Sequence, residues 1–444
     1  MSILVPPAYR VIDTEETEHD FHVTAEIVNP TTRCPHCQGE VVGFGTRGQK
    51  IMDLPVHGKR VGIWVERRRY RCQPCPYTFM EPLPDIHQKY RATTRLIRYI
   101  QQQSPERTFA SLAQDVGVDE KTIRNVFREH VAELDRTTRF ETPAWLGIDE
   151  IHILRKPRAV FANLQQHTLI NLLPNRNKPS IVAALAKLDK KKQVQYVAMD
   201  MWNPYRAAVR EVLPGARIVI DKFHIVRMAN VALEQVRKSL RASLKPKERR
   251  TLMHDRFILL KRNRDLSDER RLSLSGWLNN YADLGAAYDL KEQFYGIWEA
   301  SSRSEAERRY DHWRGHIPES LRVSFQPIVT AVTNWHAEVF TYFEYPITNA
   351  YTESLNNLIR VANRVGRGYS FEALRAKMLF TRGIHKVSKP KYRHPRKLAV
   401  SDLMYRYTSM TGQNAEREID YGVDIKQLSR LLAKPVLDIV NFVA

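Results

Sequence analysis

The cysteines constrain this chain more than any other residue type. The 444-residue sequence has four, and all stand in two C-x-x-C pairs, Cys34 with Cys37 and Cys72 with Cys75, with 34 residues between the pairs. Each C-x-x-C places two thiolates on one tight knuckle, and two knuckles supply the tetrahedral sulfur set that zinc prefers. Pro35, Gly39, Pro74 and Pro76 suit turns around them. Residues 50–55 and 62–72 read as strands, so the layout is that of a zinc ribbon. With four protein ligands and no open position, the zinc is expected to be structural, one per chain, with His36 a neighbour rather than a ligand. Two disulfides or idle buried thiols are the alternative. The N-terminus has no basic-then-apolar signal segment, so export is not expected and the metal reading is preferred.

Charge points to the partner. Lys plus Arg is 70 and Asp plus Glu is 49, for a formal net charge of +21. A chain so basic calls for a polyanion, and nucleic acid leads over an acidic small substrate. Hydrophobic residues are 43%, enough to bury real cores. No apolar run of membrane-spanning length occurs, so no membrane association is expected and a cytoplasmic, nucleoid-associated protein is. At roughly 100 to 200 residues per domain, two to four domains are expected.

The segment 59–71 carries six Lys or Arg and one Glu around Trp64 and Tyr70, and is read as lying near phosphates. A helical stretch follows. Residues 94–103 carry Leu96, Ile97 and Ile100 at helical spacing. Thr108 can cap a second helix that buries Phe109, Leu112, Ala113 and Val116. Gly117-Val118 breaks the chain, and Asp119 caps a third helix burying Ile123, Val126 and Phe127. Helix, glycine turn, helix is the helix-turn-helix pattern, and a purely structural bundle is the alternative. It leaves Lys121, Thr122, Arg124, Asn125 and Arg128 facing outward, residue types that contact phosphates and base edges of double-stranded DNA.

From Trp145 the texture changes to apolar strands interrupted by acids. Residues 145–154 read as a strand with Asp149 in its middle, and Arg155–Arg158 as a basic turn. Strands at 159–164 and 168–173 complete a meander, and a helix is expected at 180–188. A strand over 193–200 ends in Asp200. A helix over 203–213 precedes a strand over 216–221 that ends in Asp221. One such acid is most simply a turn-capping residue. Three in succession are costly in apolar surroundings unless something compensates them, and a divalent cation does so. Carboxylates with Mg²⁺ in a basic, DNA-reading chain suggest metal-dependent phosphoryl transfer. Far downstream, residues 348–362 form an amphipathic helix with Leu355, Leu358, Ile359 and Ala362 on its buried stripe. Glu353, Asn356, Asn357, Arg360 and Arg364 fall on the opposite half.

Taken in this order, these motifs resemble the DDE-type transposases of bacterial insertion sequences, specifically the ISL-three family, over almost the whole chain. They are the cysteine pairs, the helix-turn-helix, Gly147-Ile-Asp149-Glu, Met199-Asp200, Asp221-x-x-His224 and Asn349-Ala-Tyr-Thr-Glu353. The resemblance implies a multidomain α+β protein: an N-terminal zinc ribbon (1–88), a helix-turn-helix domain (89–140), and an RNase H-like α/β catalytic core (141–224 and 346–390). An all-helical insertion (225–345) interrupts that core, and a C-terminal tail (391–444) follows it. It implies Asp149, Asp200 and Glu353 as the catalytic triad holding two Mg²⁺, with Asp221 and His224 accessory. Glu150 is a rival for the first position, but strand alternation turns it to the opposite face.

The activity implied is binding of an element's terminal inverted repeats, metal-dependent cleavage, and strand transfer into target DNA. A nuclease on the same fold, or a domesticated DNA-binding regulator, is the alternative. A homo-oligomer is expected, with a dimer favoured. The cations Arg237, Lys238, Arg241, Lys245, Lys247, Arg249, Arg250 and Arg256 of the insertion are read as equally suited to DNA backbone or to solvent. Trp277, Trp298, Trp313 and Trp335 are read as core. After Lys386 the tail is basic, and 425–444 reads as one or two small helices.

Overall fold

The computed structural model describes residues 4–137 and 141–383; the sequence readings for the tail beyond them lie outside the described residues. The chain begins with an antiparallel pair, β1 (Tyr9–Glu16) and β2 (Asp20–Ile27), which the cysteine and charge patterns do not announce. A long hairpin follows, β3 (Val41–Val56) and β4 (Lys59–Cys72), with β5 (Thr78–Met80) paired to the far end of β4. The sheet order is β1-β2-β4-β3, with β2 and β4 parallel. Val23 and Ala25 on β2, Ile51 on β3, and Val61, Ile63 and Val65 on β4 bury one face at the period of two expected of strands. The hairpin extends well beyond residues 50–55 and 62–72. Residues 42–48 are exposed throughout, so backbone pairing rather than an apolar pattern holds this part.

Three helices follow: α1 (Thr94–Gln103), α2 (Phe109–Val116) and α3 (Glu120–Thr137). Their starts are fixed by side-chain caps. Thr93 accepts from the Leu96 N–H, Thr108 from Ser111 and Asp119 from Thr122. Gly117 takes the left-handed conformation, φ 71°, that the α2–α3 turn requires. The bundle is tied to the first sheet by Asp53 of β3. This fully buried carboxylate accepts from Thr93 Oγ1 at 2.6 Å and Arg95 Nε at 2.8 Å.

The second sheet comprises β6 (Trp145–Ile153), β7 (Lys156–Asn163), β8 (Thr168–Leu172), β9 (Tyr196–Met199) and β10 (Arg217–Ile220), in the order β10-β9-β6-β7-β8. β6, β9 and β10 run parallel, and β7 alone is reversed, pairing antiparallel with both β6 and β8, the arrangement of an RNase H-like sheet. Helices α4 (Lys178–Ala186) and α5 (Asn203–Val212) make the crossovers. The basic turn expected at 155–158 is narrower. Leu154 and Arg155, both with positive φ, turn the chain, and β7 already begins at Lys156. The strand expected from residue 193 starts at Tyr196, because Lys191–Gln193 is a short 3₁₀ turn.

Beyond β10 the chain is helical: α6 (Lys222–Ser243), α7 (Pro246–His254), α8 (Arg256–Leu260), α9 (Asp268–Asn280) and α10 (Ala282–Ile297). Then come α11 (Arg303–Gly315), α12 (Arg322–Asn334) and α13 (His336–Phe340). Phe294, Trp313, Phe325 and Phe340 form the centre of this region, and one continuous apolar cluster joins them to the face of the sheet covered by α4 and α5. Trp313 and Trp335 are core residues, while Trp277 and Trp298 are partly buried at its edge. Arg237 is only 4% exposed and donates twice to Glu234, so it is not free to meet a DNA backbone.

The last described elements, α14 (Ala350–Gly366) and α15 (Phe371–Arg382), return to the sheet's other face. There Ile151, Ile153, Leu172, Leu355, Ile359 and Leu374 share a single apolar cluster with Leu96, Ile100, Leu112 and Phe127 of the three-helix bundle. The buried side of α14 is rotated from the expected stripe. Leu358 is exposed, whereas Asn356 is buried, because Thr352, Asn356 and Ile359 face the sheet.

Candidate active site and DNA-binding modules

Strand ends and helix starts gather the acids at one place. Asp149 lies in β6, Asp200 directly follows β9, and Asp221 follows β10 as the cap of α6, accepting from the Phe223 N–H at 3.2 Å. His224 stands in the first turn of α6 and Glu353 in the first turn of α14. Ligand atoms of Asp149, Asp200 and His224 lie within 4.8 Å of one another, as do those of Asp221, His224 and Glu353. His224 belongs to both groups, so the acids form two sets that meet at one imidazole. Glu150 points away from them and pairs with Arg176.

α14 approaches β6 closely enough to make Gly147 necessary. A Cβ there would stand 2.6 Å from both Asn349 Oδ1 and Thr352 Oγ1. Asn349 Nδ2 donates to the Ile148 carbonyl at 3.2 Å, and its N–H donates to Asp221 Oδ2 at 3.3 Å. Asn356 Nδ2 donates to Asp149 Oδ2 at 2.7 Å. The Asn356 bond gives that side chain a partner of the kind a polar helix face needs. Nothing in the linear pattern marks Gly147 or Asn349 as the points where helix and strand touch.

The electrostatics are set by burial and by the crowding of the acids. Burial and the adjacent Asp200 push the Asp149 carboxyl up to about 7. Asp221 and Glu353 are also raised, in both cases chiefly by burial. Burial works against protonation of His224, but the charges of Asp200, Asp149 and Asp221 prevail and raise it. His224 Nε2 lies 2.7 Å from Asp200 Oδ1, and neither atom completes a well-directed hydrogen bond. Carboxylates crowded at one place, with Asp200 Oδ1 buried among them without a hydrogen-bond partner, fit a divalent cation.

The cysteines form a second, closed site. Sγ atoms of Cys37 lie 3.4 Å from those of Cys72 and Cys75, and Cys34 lies 3.8 Å from Cys75. A tetrahedron with Zn–S bonds of about 2.3 Å has edges of about 3.8 Å, so the set fits zinc. Burial raises Cys34, but N–H groups of Cys37 and His36 outweigh it and bring the thiol down to about 7. Burial pushes Cys72 up to about 12. Zinc takes cysteines as thiolates, and a cation at the centre of the set offsets their mutual repulsion.

Comparisons with known proteins fit this geometry. The family model for the DDE transposase of the ISL3 type, described as "Transposase", matches residues 146–378, just over half of the chain. The chain belongs to the ISL3 transposase family. The zinc-finger model of transposases IS204/IS1001/IS1096/IS1165 matches residues 30–75, and the helix-turn-helix model of transposase family ISL3 matches 81–131. Similar proteins include the transposase for insertion sequence element IS1001 from Bordetella parapertussis, 22% identical over 73% of this chain and 82% of that protein. The transposase for insertion sequence element IS1557 from Mycobacterium tuberculosis is 24% identical over 59% of this chain and 65% of its own length.

In this ISL3 transposase the helix-turn-helix is the matched DNA-binding domain. On α3, Lys121, Arg124 and Arg128 are exposed, and Thr122 and Asn125 are half-buried. Thr122 is engaged with the Asp119 cap, and Arg124 pairs with Glu120 while lying over the Phe109 ring. Arg124 and Arg128 border a cleft whose far wall is Tyr369, Ser370 and Glu372. In the basic stretch of β4, Lys59 and Arg60 are held by Glu16 and Asp20, whereas Arg68, Arg69 and Arg71 remain exposed. Among the described residues, no helix is long and apolar enough to cross a membrane.

Proposed function

We propose that this chain binds the terminal inverted repeats of its insertion sequence and catalyses cleavage and strand transfer through Asp149, Asp200 and Glu353. What carries the reading is the convergence, at one end of an RNase H-like sheet, of these three carboxylates with His224 between them. Asp149, Asp200 and Glu353 would hold Mg²⁺, as a pair of ions in the two-metal manner, and the bound metal would supply positive charge for activating water and stabilising the leaving oxygen of a phosphodiester.

The protein's own contribution is placement. Asn356 orients Asp149, and the Asn349 bonds to Ile148 and Asp221 lock the start of α14, and with it Glu353, against β6 and β10. Asp221 and His224 are accessory: the first caps α6, and the second stands between Glu353 and the pair Asp149 and Asp200. The helix-turn-helix, through Lys121, Thr122, Arg124, Asn125 and Arg128, reads the repeat. The exposed arginines of β4 hold its backbone. The active species is a homodimer, one protomer for each end of the element.

Labelled DNA carrying the gene's own flanks tests this reading. Cuts at fixed flank positions are expected in Mg²⁺, and none with chelator or for Asp149→Ala, Asp200→Ala or Glu353→Ala, all of which still bind the DNA. Binding without cutting by the native chain favours the regulator alternative, and cutting without joining favours a nuclease.

A further inference from the structure

The chain turns sharply between α14 and α15, and this turn stands against the helix-turn-helix. Gly366 ends α14, and Arg367 and Gly368 both take positive φ, 42° and 116°. Tyr369 folds back so closely that a Cβ on Gly366 would lie 2.1 Å from its ring. That ring meets Phe109 of α2 edge-on at 5.2 Å. Gly368, Tyr369 and Ser370 thereby form one wall of a cleft of about 220 Å³, and Arg124 and Arg128 of α3 stand on the other.

Arg367 is the anomaly. The left-handed conformation at a helix end is glycine's usual place, because a Cβ there crowds the following carbonyl. Here glycine comes one residue later, and an exposed arginine holds the strained position. Among the described residues its guanidinium makes no hydrogen bond or ion pair. The same is true of exposed Arg364, three residues earlier, and of exposed Arg128 on α3. Arg360, by contrast, is bonded to Asn357 at 2.9 Å. Glu372, a carboxylate in the lining of the cleft, pairs with none of the three. The carbonyl end of α14 favours a cation in its last turn, but Arg364 alone would serve it without strain. Unpaired guanidiniums beside a recognition helix suit an anion with regularly spaced charges, and duplex DNA is such an anion.

We propose that the α14–α15 turn is a DNA-binding element in its own right: Arg364 and Arg367 clamp the phosphate backbone of the duplex whose major groove α3 enters. The inference rests on the reading of α3 as the recognition helix and, for the place of the cut, on the cleavage reading above. α14 carries Glu353 in its first turn and this clamp at its end. From residue 353 to residue 367 a helix rises about 21 Å, at about 1.5 Å per residue. One turn of DNA spans about 34 Å, so the clamped phosphates lie within about one turn of the bond that reaches the acids. Arg364 and Arg367 are positioning residues: they hold the flanking duplex and touch no reacting atom.

The test uses the full chain with chelator present, so that binding is read apart from cutting. Arg367→Gly removes the guanidinium and suits the backbone, so its thermal midpoint should not fall below that of the native chain. Binding to a duplex carrying the gene's own flank is followed by fluorescence anisotropy over a range of salt. The slope of log affinity against log salt should drop by about 1 for Arg367→Gly, and by about 2 for Arg364→Gln combined with it. Single uncharged methylphosphonates at successive backbone positions then locate the contact. Native affinity should fall several-fold at a position within about ten base pairs of the cut, and Arg367→Gly should be indifferent to that substitution. An unchanged slope overturns the proposal, as does a variant that suffers the native penalty at every methylphosphonate position. Phosphate contacts ignore sequence, so the slope change is expected on an unrelated duplex as well. A native chain that binds both duplexes equally, with the slope change intact, overturns the reading of α3 and upholds the clamp.

Discussion

Lys377 of α15 is buried with no carboxylate beside it among the described residues. Its ammonium donates to the carbonyls of Ser104 and Arg107, in the connection between α1 and α2, the second at 2.8 Å. The rings of Phe109, Tyr369 and Phe127 surround it at 4.3, 4.9 and 5.2 Å. Burial brings its pKa down to about 7. The unfolded chain keeps a lysine near its ordinary value of about 10.4, so between about pH 7 and 10 the unfolded state binds more protons than the folded one. Stability therefore rises with pH through that window, by at most about 1.4 kcal/mol per pH unit for one proton. From pH 7 to pH 9 the gain integrates to about 2 kcal/mol. Lys377→Met removes the titration but orphans two buried carbonyls, at about 1–3 kcal/mol each. Urea unfolding of both chains at pH 7, 8 and 9 decides the matter. The native chain should gain about 2 kcal/mol more than the variant across the range. Parallel stability curves would refute the claim that a cation is buried here on carbonyls and rings alone.

Three further outcomes are expected. Cys34→Ser should lose the zinc and unfold the ribbon, read as zinc content falling from one per chain with loss of structure in residues 4–88; a folded, metal-free variant contradicts this. Gly147→Ala should push α14 off β6 and lower cleavage at least tenfold while repeat binding in a gel-shift assay is kept; an unchanged cutting rate means the contact at Asn349 and Thr352 relaxes freely. DNA affinity should fall steeply with salt, and Arg128→Ala should lower the slope of log affinity against log salt by about 1. A slope unchanged by the substitution removes Arg128 from the phosphate contacts.

What the sequence disclosed was mostly local. The two cysteine pairs, Gly117 with its left-handed turn, and the caps at Thr108 and Asp119 announce themselves because each works through neighbours a few residues away. Asp149, Asp200 and Asp221 were legible as acids in apolar strands, where burial makes them conspicuous. The pair β1–β2 was not, since only one of its faces is apolar and residues 12–16 are exposed throughout. Nor could helical periodicity settle α14. Leu358 fits the apolar stripe and Asn356 does not, but the sheet, rather than the helix, decides which side is covered. The same holds for Arg237, whose type suggests DNA and whose partner is Glu234 in the preceding turn. The meeting of two acid groups at His224 depends on side chains from four elements and has no signature in spacing.

The three-helix bundle shares its apolar interior with α14, α15 and the second sheet, joined through Phe109, Phe127, Tyr369 and Lys377. A reading head built that way cannot swing on a tether. The span from the base pairs it recognises to the bond it cuts becomes a fixed length of the molecule, like the throw of a rigid caliper. Such a machine counts base pairs by shape. On the function proposed above, its recognition sequence can drift only through side chains on the outer surface of α3, since exchanging the whole bundle for another would tear out part of the floor beneath the acids.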